Sequence, residues 1–184
     1  MLHLYKKTIK TDSSGFSAFE SPNYPPLAKV GVDIKINQGN LMEKPTGPLS
    51  YQKIHASEIG TVHIHPGISA EILNNYLRQP VKGLILITYG AGNIPSHDDD
   101  FVAVITEACE RGIVIVNCTH CLKGSVNMSA YASGSILEQA GVVNGKDMTL
   151  ESCITKLSWL LSKHQDPEQI RKLMAENLRG ELRD

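Results

Sequence analysis

Tyr89-Gly90-Ala91-Gly92-Asn93 is the segment whose residue types and spacing are most suited to chemistry. Gly90 and Gly92 let the backbone take positive φ and let a ligand or another chain approach closely. Asn93 adds one amide acceptor and two donors on a short stem. The site would be polar and uncharged, suited to an amide or a carboxylate. A phosphate would call for a Lys or a longer glycine run. The same residues also suit a tight turn in which Asn93 bonds its own backbone.

Other constellations are weaker. Cys118-Thr119-His120-Cys121 has the C-x-x-C spacing of zinc and thiol-redox sites. A structural zinc site wants four ligands, and no second pair stands at matching spacing. Redox use favours C-x-x-C at a helix start, whereas Cys118 ends an apolar strand pattern and Gly124 follows. Buried or loop thiols are the plainer expectation. His63 and His65, two residues apart, share one strand face and could chelate; such pairs are more often hydrogen-bonded and inert. No Ser with a suitable His and acid partner stands out, nor do paired loop carboxylates.

The elements that position the loop follow from pattern. Leu84 to Thr88 is a run of apolar and β-branched residues that enters the Gly-rich turn, which ends on Pro95. A buried strand, a loop and a helix start are expected there. Ligands of open α/β sheets are met at this place, where a strand's carboxyl end and a helix's amino end share a crevice. Thr61 to His65 reads as the strand before it, with Val62 and Ile64 inward, and Ser69 as the cap of a helix through Leu77. A helix from Asp98 to Arg111 has three Asp in its first turn, with Phe101, Ile105, Ala108 and Cys109 at core spacing. Gly112 ends it. Ile113 to Val116 is wholly apolar, as in a parallel strand covered on both faces. If it neighbours Leu84 to Thr88, Thr119 and Cys121 lie beside Asn93. Helices are expected near 133–139, 149–163 and 167–178, with Ile154, Leu157, Leu160 and Leu161 as one stripe and Ile170, Leu173 and Met174 as another. The fold class is α/β: a small doubly wound parallel sheet with flanking helices over 58–184.

Residues 1–36 differ. Leu2 to Tyr5 is strand-like, Thr11 to Gly15 is a turn, prolines at 22, 25 and 26 exclude regular structure, and Val32 to Ile36 alternates as a short strand. These pieces have too little apolar surface for a core and should pack on something else. Residues 37–57, with Gly39, Pro45, Gly47 and Pro48, read as a linker.

The 184 residues are 41% apolar and 20% charged, the balance of a soluble globular protein. Eighteen basic against nineteen acidic residues leave a net charge of −1, with no basic block for nucleic acid or an anionic membrane. Neither partner is expected. No run approaches the roughly 18 apolar residues that span a bilayer. Cysteines at 109, 118, 121 and 153, mostly within apolar patterns, suit reduced thiols in a reducing compartment.

From Ser17 to Asp184 the chain resembles the carboxyl-terminal part of bacterial cytoplasmic, type I, L-asparaginases. The resemblance is carried by AFESPNYPPLAKVGVDI, HPGISAEILNNYLRQPVKGLILITYGAGNIP, RGIVIVNCTHC, VNMSAYASG and ENLRGEL, in that order. It implies hydrolysis of L-asparagine to L-aspartate and ammonia without metal or cofactor, in the cytoplasm. It also implies a homodimer or dimer of dimers with active sites between subunits. In such enzymes a larger amino-terminal domain carries the nucleophilic Thr of a Thr-Gly-Gly-Thr turn, a Thr and Asp of a Gly-Thr-Asp-Thr segment, and a Lys. Neither motif occurs in this sequence, so no catalytic residue is expected within it. Residues 1–36 then resemble the tail of that larger domain, and 37–57 the interdomain linker. Asn93 resembles the residue that reaches into a neighbouring subunit's active site to hold the substrate's amino acid end. Thr119 and Cys121 resemble positions lining a second, regulatory asparagine pocket. Ile87 stands where enzymes with that pocket can have an Arg, the obvious partner for an effector carboxylate. A second expectation from another class is a non-catalytic amino-acid-binding or oligomerisation module.

Overall fold

Alternation along one strand organises the molecule. In the computed structural model, which describes residues 1–55, 58–95, 99–130 and 132–183, the run Leu84-Ile85-Leu86 has no exposed surface on either side. Successive side chains of a strand point to opposite faces, so such a run requires cover above and below.

The chain supplies that cover with eight strands and five α-helices among the described residues: β1 (Ile9–Lys10), β2 (Phe19–Glu20), β3 (Ala28–Val30), β4 (Ile34–Ile36), β5 (Ile59–His63), α1 (Ala70–Tyr76), β6 (Gly83–Thr88), α2 (Asp99–Glu110), β7 (Val114–Thr119), α3 (Ala132–Gln139), β8 (Val143–Asn144), α4 (Leu150–Lys163) and α5 (Pro167–Ala175). β5, β6, β7 and β8 form one parallel sheet in that order. Leu84 and Leu86 join Val62, Ile64 and Ile115 in a core under α1, α2 and α3, which contribute Leu73, Phe101, Ile105 and Leu137. Ile85, Val114 and Val116 face the other way, against Cys153, Leu157, Leu160, Ile170 and Met174 of α4 and α5. The three crossover helices thus share one face, and the closing pair covers the other. Each fully buried Leu or Ile contributes about 1.5–3 kcal/mol.

Helix ends follow local chemistry. Ser69 Oγ accepts from Ile72 N, Thr149 Oγ1 from Ser152 N, and Asp166 from Glu168 N with Pro167 next in the chain. Asp98 lies outside the described residues, and α2 runs from Asp99 with Phe101, Ile105, Ala108 and Cys109 buried.

Several boundaries depart from the sequence expectation. β5 occupies 59–63 instead of 61–65, although Val62 and Ile64 are buried as expected. β7 extends to Thr119, because β6 pairs with it through Thr88↔Thr119. α5 stops at Ala175. β8 is an unexpected strand, too short to show alternation, and Gly145 just after it lies so close to β7 that a Cβ there would meet Asn117 O at 2.5 Å. Leu2 makes a single bridge to Ala28, and Tyr5–Lys7 forms a 3-10 turn in place of a strand.

Residues 1–36 pack on the α/β domain through polar contacts. Lys7, 2% exposed, pairs with Asp147 at 2.8 Å. Asn23 and Gly124 exchange two hydrogen bonds at 2.9 Å, and Ser152 Oγ donates to Lys6 O. β1 pairs with β2 and β3 with β4, both antiparallel. Val30, Val32, Ile34 and Ile36 of the second hairpin remain exposed. Residues 41–55 form no helix or strand and are exposed.

Candidate functional site

The loop after β6 is held from three sides. Tyr89 N donates to Asn93 O at 3.1 Å, while Asn93 N and Gly92 N return bonds to Tyr89 O at 2.9 and 2.8 Å. This tight turn needs φ +45° at Gly90 and +107° at Gly92, values that side chains oppose. A Cβ on Gly92 would also meet Val126 Cγ1 at 2.7 Å.

Beneath it lies Asn117, fully buried on β7. Its Nδ2 donates to Gly92 O at 3.0 Å, and its Oδ1 accepts from Thr88 Oγ1 at 2.6 Å. A buried amide pays its desolvation only when its groups are bonded, and here both ends are used. On the far side Asn127 N donates to Ala91 O at 2.8 Å. The loop therefore inherits the rigidity of the two central strands.

Asn93 sits half-buried at the end of this turn. Ser133 Oγ, at the start of α3, donates to Asn93 Oδ1 at 2.9 Å. Asn93 Nδ2 has no hydrogen-bond partner among the described residues. The neighbouring Tyr89 hydroxyl is buried and unpartnered among the described residues, its ring edge-on to His120 with centroids 6.1 Å apart.

Thr119 and Cys121 do adjoin this loop. Thr119 Oγ1 donates to Gly90 O at 2.6 Å and accepts from Cys121 N at 3.0 Å, which commits its single proton to the protein. Cys121 is exposed, with Sγ 3.8 Å from His120 Nε2. His120 Nδ1 lies 2.9 Å from Thr88 O, an acceptor, so Nδ1 carries the proton. Ile87, paired with Cys118, contributes apolar surface to the core beneath α4 and α5.

The C-x-x-C pair is split between environments. Cys118 is buried in that same core beside Cys153, whose thiol is pushed up by their mutual hydrogen bond and by burial, while Cys121 lies outside. Burial likewise pushes Cys109 up to about 11. His63 and His65 are both exposed; His65 Nδ1 lies 3.0 Å from Pro66 O, and the His63 ring is 6.1 Å from that of His120. Among the described residues no three His, Cys, Asp or Glu side chains come together as a metal cage. No helix among them is long and apolar enough to cross a membrane.

Sequence reasoning located Asn93, Thr119 and Cys121 but missed Asn117 and Ser133. A polar residue inside the apolar run Ile113 to Val116-Asn117-Cys118 was the available signal for the first. Ser133, among the small residues Ala132 and Gly134, offered little beyond a helix-start pattern.

The class of domain is a parallel α/β sheet covered by helices on both faces, with an uncharged, amide-bearing loop at the carboxyl end of its second strand. Residues 58–174 match the family described as the glutaminase/asparaginase C-terminal domain, and the chain belongs to that family. It is 48% identical over 181 residues to L-asparaginase 1 of Escherichia coli (strain K12), covering 98% of this chain and 53% of that protein. It is 42% identical over 180 residues to the 60 kDa lysophospholipase of Mus musculus, covering 96% of this chain and 31% of that protein. The structure of L-asparaginase I from Vibrio cholerae superposes with a TM-score of 0.92 at 41% identity, over 98% of this chain and 55% of that one. The chain thus spans about half the length of these asparaginases and corresponds to their carboxyl-terminal part.

Proposed function

We propose that the chain serves as the carboxyl-terminal part of a cytoplasmic L-asparaginase that hydrolyses L-asparagine to L-aspartate and ammonia. In this reading Asn93 holds the amino acid end of the substrate in a neighbouring subunit of a homodimer or dimer of dimers. The nucleophilic Thr, the Thr-Asp pair and the Lys come from an amino-terminal domain. Residues 1–36 form the tail of that domain, 37–57 the linker and 58–184 the substrate-positioning domain. The observation that carries the reading is the Asn93 amide, fixed at one end and without a partner among the described residues at the other, on a loop bonded to the two central strands. Thr119 and Cys121 border the same loop as the wall of an effector pocket, but Ile87, half-buried against the core, offers an effector's carboxylate no positive charge, and the Thr119 proton is already used.

A second reading is a non-catalytic amino-acid-binding module. It is favoured by the way residues 1–36 fold back on the α/β domain through the buried Lys7–Asp147 pair.

Ammonia release from L-asparagine separates the two. It is measured with the purified chain alone and then mixed with the amino-terminal part of E. coli L-asparaginase 1. Hydrolysis only in the mixture supports the asparaginase reading; a folded chain silent in both preparations supports the module. In the active preparation Asn93→Ala should lower kcat/KM by about 1–3 kcal/mol, the scale of one lost buried polar contact. An unchanged value removes Asn93 from the site.

A further inference from the structure

We infer that Ser133 is a positioning residue that sets the direction of the Asn93 amide, so that Asn93 meets its ligand as a hydrogen-bond donor to a carboxylate oxygen. This rests on the reading of Asn93 as a substrate-holding residue and adds which end of the amino acid it holds.

The direction follows from proton bookkeeping. Ser133 is 8% exposed, and its Oγ makes one hydrogen bond among the described residues, to Asn93 Oδ1 at 2.9 Å. A carboxamide oxygen only accepts, so the hydroxyl donates. The opposite amide orientation would turn Nδ2 toward Ser133 and leave the hydroxyl proton, in a buried place, without that acceptor. Leaving a buried donor unmade is the more expensive arrangement. The bonded orientation leaves both Nδ2 protons without a partner among the described residues. An α-amino acid presents a carboxylate and an ammonium. Such unpartnered N–H groups complement the carboxylate through a charge-assisted bond and offer nothing to the ammonium.

Ser133 is itself held firmly. Gly134 brings the start of α3 so close to Met128 that a Cβ would meet Met128 O at 2.3 Å. Met128 is 2% exposed, and Asn127, one residue before it, bonds the Asn93 loop at Ala91 O. The segment carrying the hydroxyl and the loop carrying the amide are therefore joined independently of the Ser133–Asn93 bond.

Four variants in the hydrolysing preparation test the inference. Ser133→Ala should raise KM for L-asparagine about three- to tenfold, the scale of one neutral hydrogen bond, with a smaller change in kcat. Ser133→Thr keeps a hydroxyl and should restore KM. Asn93→Asp should be worse than Asn93→Ala, because its carboxylate still accepts from Ser133 but repels the ligand's carboxylate. An Asn93→Asp enzyme with the parent KM would show that the oxygen is the working atom and would overturn the inference. Loss of effect in Asn93→Ala would instead remove the reading on which it rests. A second measurement needs no activity: the 15N side-chain amide resonance of Asn93 in the purified chain, identified by its absence from Asn93→Ala. It should move in Ser133→Ala and stay near its place in Ser133→Thr. An unmoved resonance in Ser133→Ala overturns the contact.

Discussion

In the α/β domain, Leu84, Ile85, Leu86 and Ile115 vanish between helices on both sides, whereas in residues 1–55 the largest fully buried side chain is a lysine. The first region excludes water with apolar side chains from every element, an attraction that needs no particular partner. The second buries little apolar surface beyond Leu4, Ala18 and Ala28 and is anchored by Lys7 on Asp147, by Asn23 on Gly124 and by the Arg183 guanidinium, which donates to Asn23 O. Apolar burial tolerates exchange of one residue for another of similar volume. A buried charge does not, since loss of its partner strands the remaining ion. The domain should therefore respond to substitution by degrees, and the attachment of residues 1–36 should respond to single changes.

The largest effect is expected in the domain. Leu86→Ala removes a side chain with no exposed surface from the core under α1 to α3 and should destabilise the chain by about 3–5 kcal/mol in urea unfolding. A loss below about 1 kcal/mol would mean that the site collapses freely, and the contrast in packing would fall.

Lys7→Ala addresses the other side. Asp147 would lose its ammonium partner but keep the Arg183 backbone N–H and the Arg183 Nε at 3.6 Å. About 2–4 kcal/mol is expected, slightly below the usual loss from breaking a buried pair. Protease should also cut sooner between residues 41 and 55, which carry no helix or strand. A variant with unchanged cleavage would show that the segment is held by something other than this pair.

The domain has a buried charged anchor of its own, and acid sharpens the comparison there. Lys156 Nζ donates to Met174 O at 3.0 Å and pairs with Glu181 at 2.7 Å, tying α4 to the chain after α5. Burial pushes the Glu181 carboxyl up, but Lys156 and the Leu178 N–H outweigh it and hold the carboxyl below its usual range. A carboxyl with a lower folded than unfolded pKa stabilises the fold above the unfolded value, about 4.3, and the contribution is lost as pH falls through the folded one. Unfolding free energy should thus drop between pH 5 and pH 3 by more in the parent than in Glu181→Gln; parallel curves would remove Glu181 as a source of acid sensitivity.

The two regions were also unequally legible in the sequence. β6 and β7 declare themselves through consecutive apolar and β-branched residues, and the loop after β6 through its glycines, because these signals are local. Asn117 and Ser133 act on residues 25 and 40 positions away, so their roles exist only once the sheet and α3 are assembled. Residues 1–36 could be read as needing a surface to pack on. That Lys7 would be the group to vanish could not, because lysine is ordinarily a surface residue and its partner lies 140 residues along the chain.

The smallest effect on stability is expected at the β3–β4 hairpin, where Val30, Val32, Ile34 and Ile36 face solvent. Replacing Val32 by Ser removes no contact with the domain and should change unfolding free energy by no more than about 0.5 kcal/mol. Its effect should lie in association. Four exposed apolar side chains on a two-stranded hairpin offer both a sticky patch and open strand edges, which promote pairing with other chains. Sedimentation at rising concentration should show weaker self-association for Val32→Ser combined with Ile34→Ser than for the parent. A loss of several kcal/mol instead would mean that the hairpin folds onto the domain, and residues 1–36 would then share the domain's way of excluding water.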